Sequence, residues 1–318
     1  MRGSDNLEKS RPDRLIHGLF QSIKSRTAKS RIRMIDNIYH ISPLEMKAAI
    51  LKIPASPEIF VKLGRMLKDK DTEMIDVIRL VEKDPSLVAR VFRLCNTPFF
   101  NTGEPIDSLE VGINRIGFQE LHRIVGVASV AGVFKYWNLA YRVSGDAIWH
   151  NALATGIAME QLAGVSGENR SDAYTAGLLK SLGKLVIDNC AKGHSEPPMY
   201  DPESEEPLLE WEEEVFGSTN SQIVEKIMES WGFPELLSSG IRYHYLPERA
   251  PEENRYAHYL NLAGGIAEKI GKALPGESCY WQDQPAALEG ANVSREQYAS
   301  ALAATSDKLK QLLKAMGE

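Results

Sequence analysis

An all-α fold is predicted by three observations on this sequence. Apolar residues recur at three- and four-residue spacing along most of the chain, hydroxyl or carboxylate residues followed by proline open several of those stretches, and no convincing period-two strand run occurs. With 43% hydrophobic and 25% charged residues in 318, the composition is that of a globular protein able to bury one large core or two smaller ones.

Near the start, Leu15, Ile16, Leu19, Phe20 and Ile23 form an apolar face among many arginines and lysines, which predicts a basic amphipathic helix. Packing against its own domain is the usual fate of such a face; a membrane surface or a partner protein are the alternatives. At Ser56-Pro57-Glu58 a hydroxyl cap precedes a first-turn proline, whose missing N–H costs nothing there, and Ile59, Phe60, Leu63 and Met66 follow on one side. Met74, Ile75, Ile78 and Val81 keep the spacing. Asp84-Pro85-Ser86 repeats the signature ahead of Leu87, Val91, Phe92 and Cys95. Three short helices in so little chain imply a compact bundle.

Ser108 opens a further helix that Gly117 ends, and residues 118–134 read as a long, mostly buried helix. After a loop at Ser144-Gly145, small and apolar residues recur at helical spacing over 148–163 and again over 172–188. Residues 195–214 change character, and Pro197-Pro198 and Pro202 mark a loop there. The acidic run Glu210, Glu212, Glu213 and Glu214 then starts a helix, where negative charge suits the dipole, and reads as a solvated face. Helices are predicted at 221–231, 234–244, 254–273 and 294–316, with 275–285 as a connector.

The balance of 37 Lys+Arg against 43 Asp+Glu leaves a formal charge of -6, which opposes broad contact with nucleic acid. Cys95, Cys190 and Cys279 lie far apart with no CxxC spacing, as expected of reduced thiols. The first residues lack the apolar stretch of a signal peptide, and the longest apolar run, 124–134, is too short to cross a bilayer. A cytoplasmic protein without a transmembrane segment is expected.

Two blocks carry a family resemblance. The first runs from Asp84-Pro85-Ser86-Leu87 through Arg90, Arg93, Leu94 and Asn96 to Phe99-Phe100, followed by Ile106-Asp107-Ser108-Leu109 and Ile116-Gly117-Phe118-Gln119-Glu120-Leu121. It resembles the HDOD family, with its DPxLxxRxLRLxNSxFY-type helix. The second, Ala176-Gly177-Leu178-Leu179-Lys180-Ser181-Leu182-Gly183-Lys184-Leu185, is similar to the AGLLHDIGKL helix of the HD metal-dependent phosphohydrolases. The resemblance spans about 51–264 and implies an HD-domain-like helical fold with an N-terminal helical bundle. It divides the chain into a basic extension (1–47), an HDOD domain (48–265, with a bundle at 48–140 and a degenerate HD-like part at 141–265) and a C-terminal helical extension (266–318).

The resemblance also locates the positions of the HD metal ligands, where imidazole and carboxylate donors would be required. The first His position holds Asn151, one residue after His150. The His-Asp pair is Lys180-Ser181. A later His position holds Asn220, His244 remains, and the last Asp position is Gly264. Only His244 is a competent ligand, and an ammonium at position 180 repels a divalent ion. Recruiting His150 would need a register shift, since neighbours on a helix point about 100 degrees apart. No cofactor is therefore expected. No phosphate loop, nucleophile elbow or HExxH motif occurs, and Gly177 and Gly183 are read as close helix contacts.

These readings predict a non-catalytic signalling module, since relatives of this family occur beside receiver and cyclic di-GMP-related domains. No such segment is recognisable here, so a signalling protein partner acting in trans is expected. Two alternatives remain: a sensor binding a nucleotide or another phosphate ligand among Asn151, Lys180, Ser181, Asn220, His244 and Gly264, and a residual metal-dependent phosphohydrolase. Arg90, Arg93 and Asn96 are candidate partner contacts. Internal polar bonds that lock the Thr97-Pro98 turn are their more ordinary use.

Overall fold

A computed structural model describes residues 39–101, 103–134, 138–251, 254–281 and 285–317. The basic segment at 11–33 lies outside the described residues. The chain enters as an extended stretch whose Tyr39 and Ile41 N–H groups bond the carbonyls of Val215 and Phe216. It then forms α1 (Pro43–Ile50), which the apolar spacing did not predict. Its signal is Ser42-Pro43-Leu44-Glu45, a capping box in which Ser42 and Glu45 satisfy each other's backbone N–H.

The N-terminal bundle comprises α2 (Ser56–Met66), α3 (Met74–Val81), α4 (Pro85–Cys95), α5 (Leu109–Ile116) and α6 (Phe118–Val133). Asp84 and Ser108 cap α4 and α5 as their sequences predict, and Gly117 takes φ +83 between α5 and α6. Ser56 departs from prediction. It lies inside the first turn of α2 rather than capping it, and its hydroxyl donates to the Asp84 carboxylate while accepting from Arg90. A charge-assisted bond to a carboxylate outcompetes a neutral cap bond.

The second half is organised on α7 (Gly145–Ser166), buried on nearly every side. Around it pack α8 (Arg170–Leu179), α13 (Arg255–Lys269) and α15 (Arg295–Met316). The remaining helices are α9 (Leu182–Ala191), α10 (Leu208–Phe216), α11 (Asn220–Ser230), α12 (Glu235–Tyr243) and α14 (Pro285–Gly290). The helix expected over 172–188 is broken into α8 and α9 at Lys180-Ser181. Among the described residues the only strand-like pairing is one isolated bridge, Asn138 to Val143.

Both glycines of the second sequence block serve close approach. A Cβ on Gly177 would stand 2.7 Å from the Gly156 Cα of α7, and one on Gly183 only 1.9 Å from the Asn220 carbonyl oxygen of α11. The apolar core runs through both halves and includes Leu309 and Leu312 of α15.

Two histidines are part of that core. His122 on α6 stacks on Phe60 at 4.5 Å and pairs through Nδ1 with Ser171 Oγ at 2.9 Å. His244 follows α12. Burial first, then neighbouring cations, push both pKa values from 6.5 down to about 3. Each is therefore neutral in the folded protein, and its contribution is complete above pH 6.5 and declines as pH falls toward 3. Urea unfolding should show stability falling between pH 6 and pH 4 by roughly 1 kcal/mol per pH unit for each histidine. A midpoint unchanged over that interval would contradict neutral burial.

Candidate functional site

The break between α8 and α9 delivers two cations to one place. Lys180 closes α8 and Lys184 lies in the first turn of α9, each with its side chain 1% exposed. Glu277, fully buried, stands between them at 3.4 Å from Lys180 Nζ and 3.2 Å from Lys184 Nζ. The Tyr245 hydroxyl donates to its Oε1 at 2.7 Å. Burial pushes the Glu277 carboxyl up, but the two ammonium groups outweigh it and hold the pKa at about 2. Lys180 is lowered by burial, against the pull of Glu277.

Glu277 comes from the stretch that the sequence presents as a mere connector. The same stretch inserts Trp281, whose ring stacks on Tyr245 at 5.5 Å and His244 at 6.1 Å, with Lys180 Nζ 5.6 Å from its centroid. Gly264 makes the room. A Cβ there would lie 2.7 Å from the Trp281 ring, so the carboxylate of the family pattern does not fit with the tryptophan in place. Asn261 fastens the segment by donating to the carbonyls of His244 and Tyr280 at 3.0 and 2.7 Å.

His244 Nδ1 lies 2.6 Å from the Ile241 carbonyl, which fixes the proton on Nδ1 and leaves Nε2 a bare acceptor without a partner. Asn220 opens α11 and is held by Glu212, which accepts its backbone N–H at 2.8 Å and its amide at 2.9 Å, together with the Tyr141 hydroxyl at 2.7 Å. Asn151 donates to the Lys272 carbonyl at 2.6 Å, tying α7 to the turn after α13. Ser181 is buried at the helix break, with no partner for its hydroxyl. Lys180, His244 and Gly264 thus meet around Glu277 and Trp281, while Asn220 and Asn151 serve Glu212 and a backbone carbonyl.

One sequence expectation requires correction, and the ammonium expected at position 180 is found sharing the Glu277 carboxylate with Lys184. The acidic run is not wholly a solvated face: Glu210, Glu213 and Glu214 are exposed, but helical periodicity carries Glu212 inward with Leu208, Trp211 and Val215.

A divalent ion does not fit this donor set. The oxygen ligand at its centre is already shared by two ammonium groups, His244 brings one nitrogen, and no group of three or more His, Cys, Asp and Glu suited to a metal exists among the described residues. His150 is half-buried and tilted against Trp149. A cleft of about 580 Å³, lined by Thr219, Ser221, Arg249, Cys279, Tyr245 and Tyr280, borders this centre, with the two tyrosines in its wall.

Arg90 is committed internally: it donates to the Ala128 carbonyl, Ser86 and Ser56, beside Asp84. Asn96 clamps the following loop by bonding both the N–H and the carbonyl of Ile106. Arg93 and Asn96 are both exposed, and of the three Arg93 is the one for which no such bond is found. Sequence reading missed Lys184, Tyr245, Glu277 and Trp281 as members of the centre, and Glu212 as the buried partner of Asn220. One signal was available for Glu277, since a lysine at a core position demands a buried carboxylate elsewhere in the chain.

Residues 53–247 match the HDOD domain family. An HDOD domain protein of unknown function from Geobacter sulfurreducens has the same fold at 18% identity, with a TM-score of 0.62 over 82% of this chain and 93% of its own. A Marinobacter aquaeolei VT8 protein, whose name suggests signal transduction, superposes with a TM-score of 0.64 at 21% identity, covering 86% and 64%. An uncharacterized protein of Treponema pallidum (strain Nichols) is 23% identical over 249 residues, 77% of this chain. The chain spans about half the length of that relative, 47%. No helix among the described residues is long and apolar enough to cross a membrane. From its two sequence blocks, its helical architecture and the extent of the family match, this chain belongs to the HDOD domain family.

Proposed function

We propose that this chain is a non-catalytic signal-transduction module that acts through protein–protein contacts. The observation that carries the reading is the buried Lys180–Glu277–Lys184 network with Trp281 packed over it. A tethered cation takes the role that an exchangeable one would have, and it activates no water. The module keeps the helical scaffold and has given up the chemistry, so its output is the surface it offers to a partner. The sensor reading is weaker at this centre, because the lysine that would receive a phosphate is enclosed and already paired with Glu277.

Purified protein, incubated with manganese, iron or zinc and desalted, should retain only substoichiometric metal and should leave a phosphodiester substrate intact. Stoichiometric metal together with turnover, both lost in His244→Ala, would overturn the proposal.

The network also makes a thermodynamic prediction. Glu277→Gln leaves two ammonium groups buried without a carboxylate and should lower unfolding stability in urea by about 3–5 kcal/mol. Replacing Lys180, Lys184 and Glu277 together by methionine should recover most of that loss, because apolar side chains of similar length need no partner. If Glu277→Gln unfolds at the same urea concentration as the parent, the carboxylate is not what holds the centre.

A further inference from the structure

The cleft of about 580 Å³ beside the closed centre combines two kinds of surface. Pro207, Leu209, Tyr243, Leu246 and Tyr280 give it an apolar and aromatic lining, and Glu210 and Glu213 of α10 add carboxylates. Arg242, on the same lining, is already held by Glu225 at 2.7 Å, while Arg249 is exposed. Glu210, Glu213 and the neighbouring Glu214 are exposed and have no cation partner among the described residues. The loop ahead of α10 adds the exposed Glu203 and Glu205.

Two of these acids are unfavourably placed for their own helix. Glu213 and Glu214 stand in the last turn of α10, which has no basic residue, so their charge opposes the negative end of the helix dipole. Glu210, one turn earlier, adds like-charge repulsion. A cation arriving at this end relieves both, and the chain itself arrives there: the Tyr39 and Ile41 N–H groups bond the carbonyls of Val215 and Phe216, the last two residues of α10. Upstream of that entry the sequence sets Arg11, Arg14, Lys24 and Arg26 around Leu15, Leu19 and Phe20. Residues 24–38 span about 50 Å at full extension, several times the roughly 14 Å of α10, so the segment reaches the cleft. The other groove near the entry, between α1 and α11, presents Lys47 and Lys226 and no carboxylate, so like charge turns a basic segment away from it.

We propose that this cleft is the docking site of the chain's own basic N-terminal segment. The apolar residues within 15–23 cover Leu209, Tyr243 and Leu246, as an amphipathic segment covers a groove, and the flanking cations meet Glu210, Glu213 and Glu214. Because the segment is tethered at the end of α10, its local concentration is on the order of millimolar, and a weak contact suffices to keep the cleft covered. A partner that displaces the segment uncovers the cleft. The contact involves the segment and the cleft alone and holds whatever the closed centre binds.

Cys279 lines the cleft with an exposed thiol, so its rate of alkylation by iodoacetamide in the full chain, followed peptide by peptide by mass spectrometry, reports whether the cleft is covered. The parent should react about tenfold more slowly than a variant carrying Leu19→Asp and Phe20→Asp, the difference that roughly 90% occupancy by a tethered segment produces. Glu213→Lys with Glu214→Lys, exposed changes on the other side of the contact, should release Cys279 to a similar degree. The protection should not depend on protein concentration. A rate in either variant equal to that of the parent rules the docking site out, and so does protection that grows with protein concentration, which a second copy's segment would give.

Discussion

Two ammonium groups carried into the core by one helix junction form the constraint on which the rest of this structure depends. Removing them from water is expensive, and attraction to a carboxylate repays that cost only when geometry and hydrogen bonding are good. Glu277 supplies the carboxylate, with the Tyr245 hydroxyl satisfying one oxygen further. Because Glu277 lies well beyond α13, the chain must return from that helix to the centre before it can go on to α15. The C-terminal portion is therefore drawn into the HD-like half by charge compensation as well as by apolar packing.

Other substitutions follow from that return. Once the segment carrying Glu277 crosses the centre, Trp281 has to be housed, and Gly264 houses it. Asn261 then bonds the carbonyls of both strands of chain that meet there. Lys180, Glu277, Trp281 and Gly264 thus form one arrangement: the cation is a lysine ammonium, its carboxylate comes from the segment after α13, and the tryptophan over it requires a glycine beneath. A lysine ammonium has no open coordination position at which a water could be bound.

Much of this was legible in the residues. Caps at Asp84 and Ser108, the glycine between α5 and α6 and the close contacts at Gly177 and Gly183 are local or near-local signals, and all were readable. Three things were not. Ser56 has the spelling of a cap, and only the approach of Asp84 turns its hydroxyl elsewhere. Glu212 is embedded in a run of acids that differ only in which way the helix turns them. Glu277 lies in proline-flanked chain with no periodicity, and its role is set by lysines more than ninety positions away, a distance that no window of sequence spans.

The geometry of α8 links a cleft of about 390 Å³ at its N-terminus to the ion network at its C-terminal end. Its first turn faces the cleft with Arg170 and Ser171, and its last residue leads into Lys180 and the ion network. At 1.5 Å per residue the two ends are only about 15 Å apart. The Gly177–Gly156 contact seats the helix directly on the backbone of α7, leaving no soft side-chain layer in which a displacement could be lost. A force applied at the N-terminus must therefore either move α8 as a rigid body, disturbing Lys180 and its partner, or be resisted by the whole α7–α8 pair. In both cases the response is shared between the two halves of the molecule.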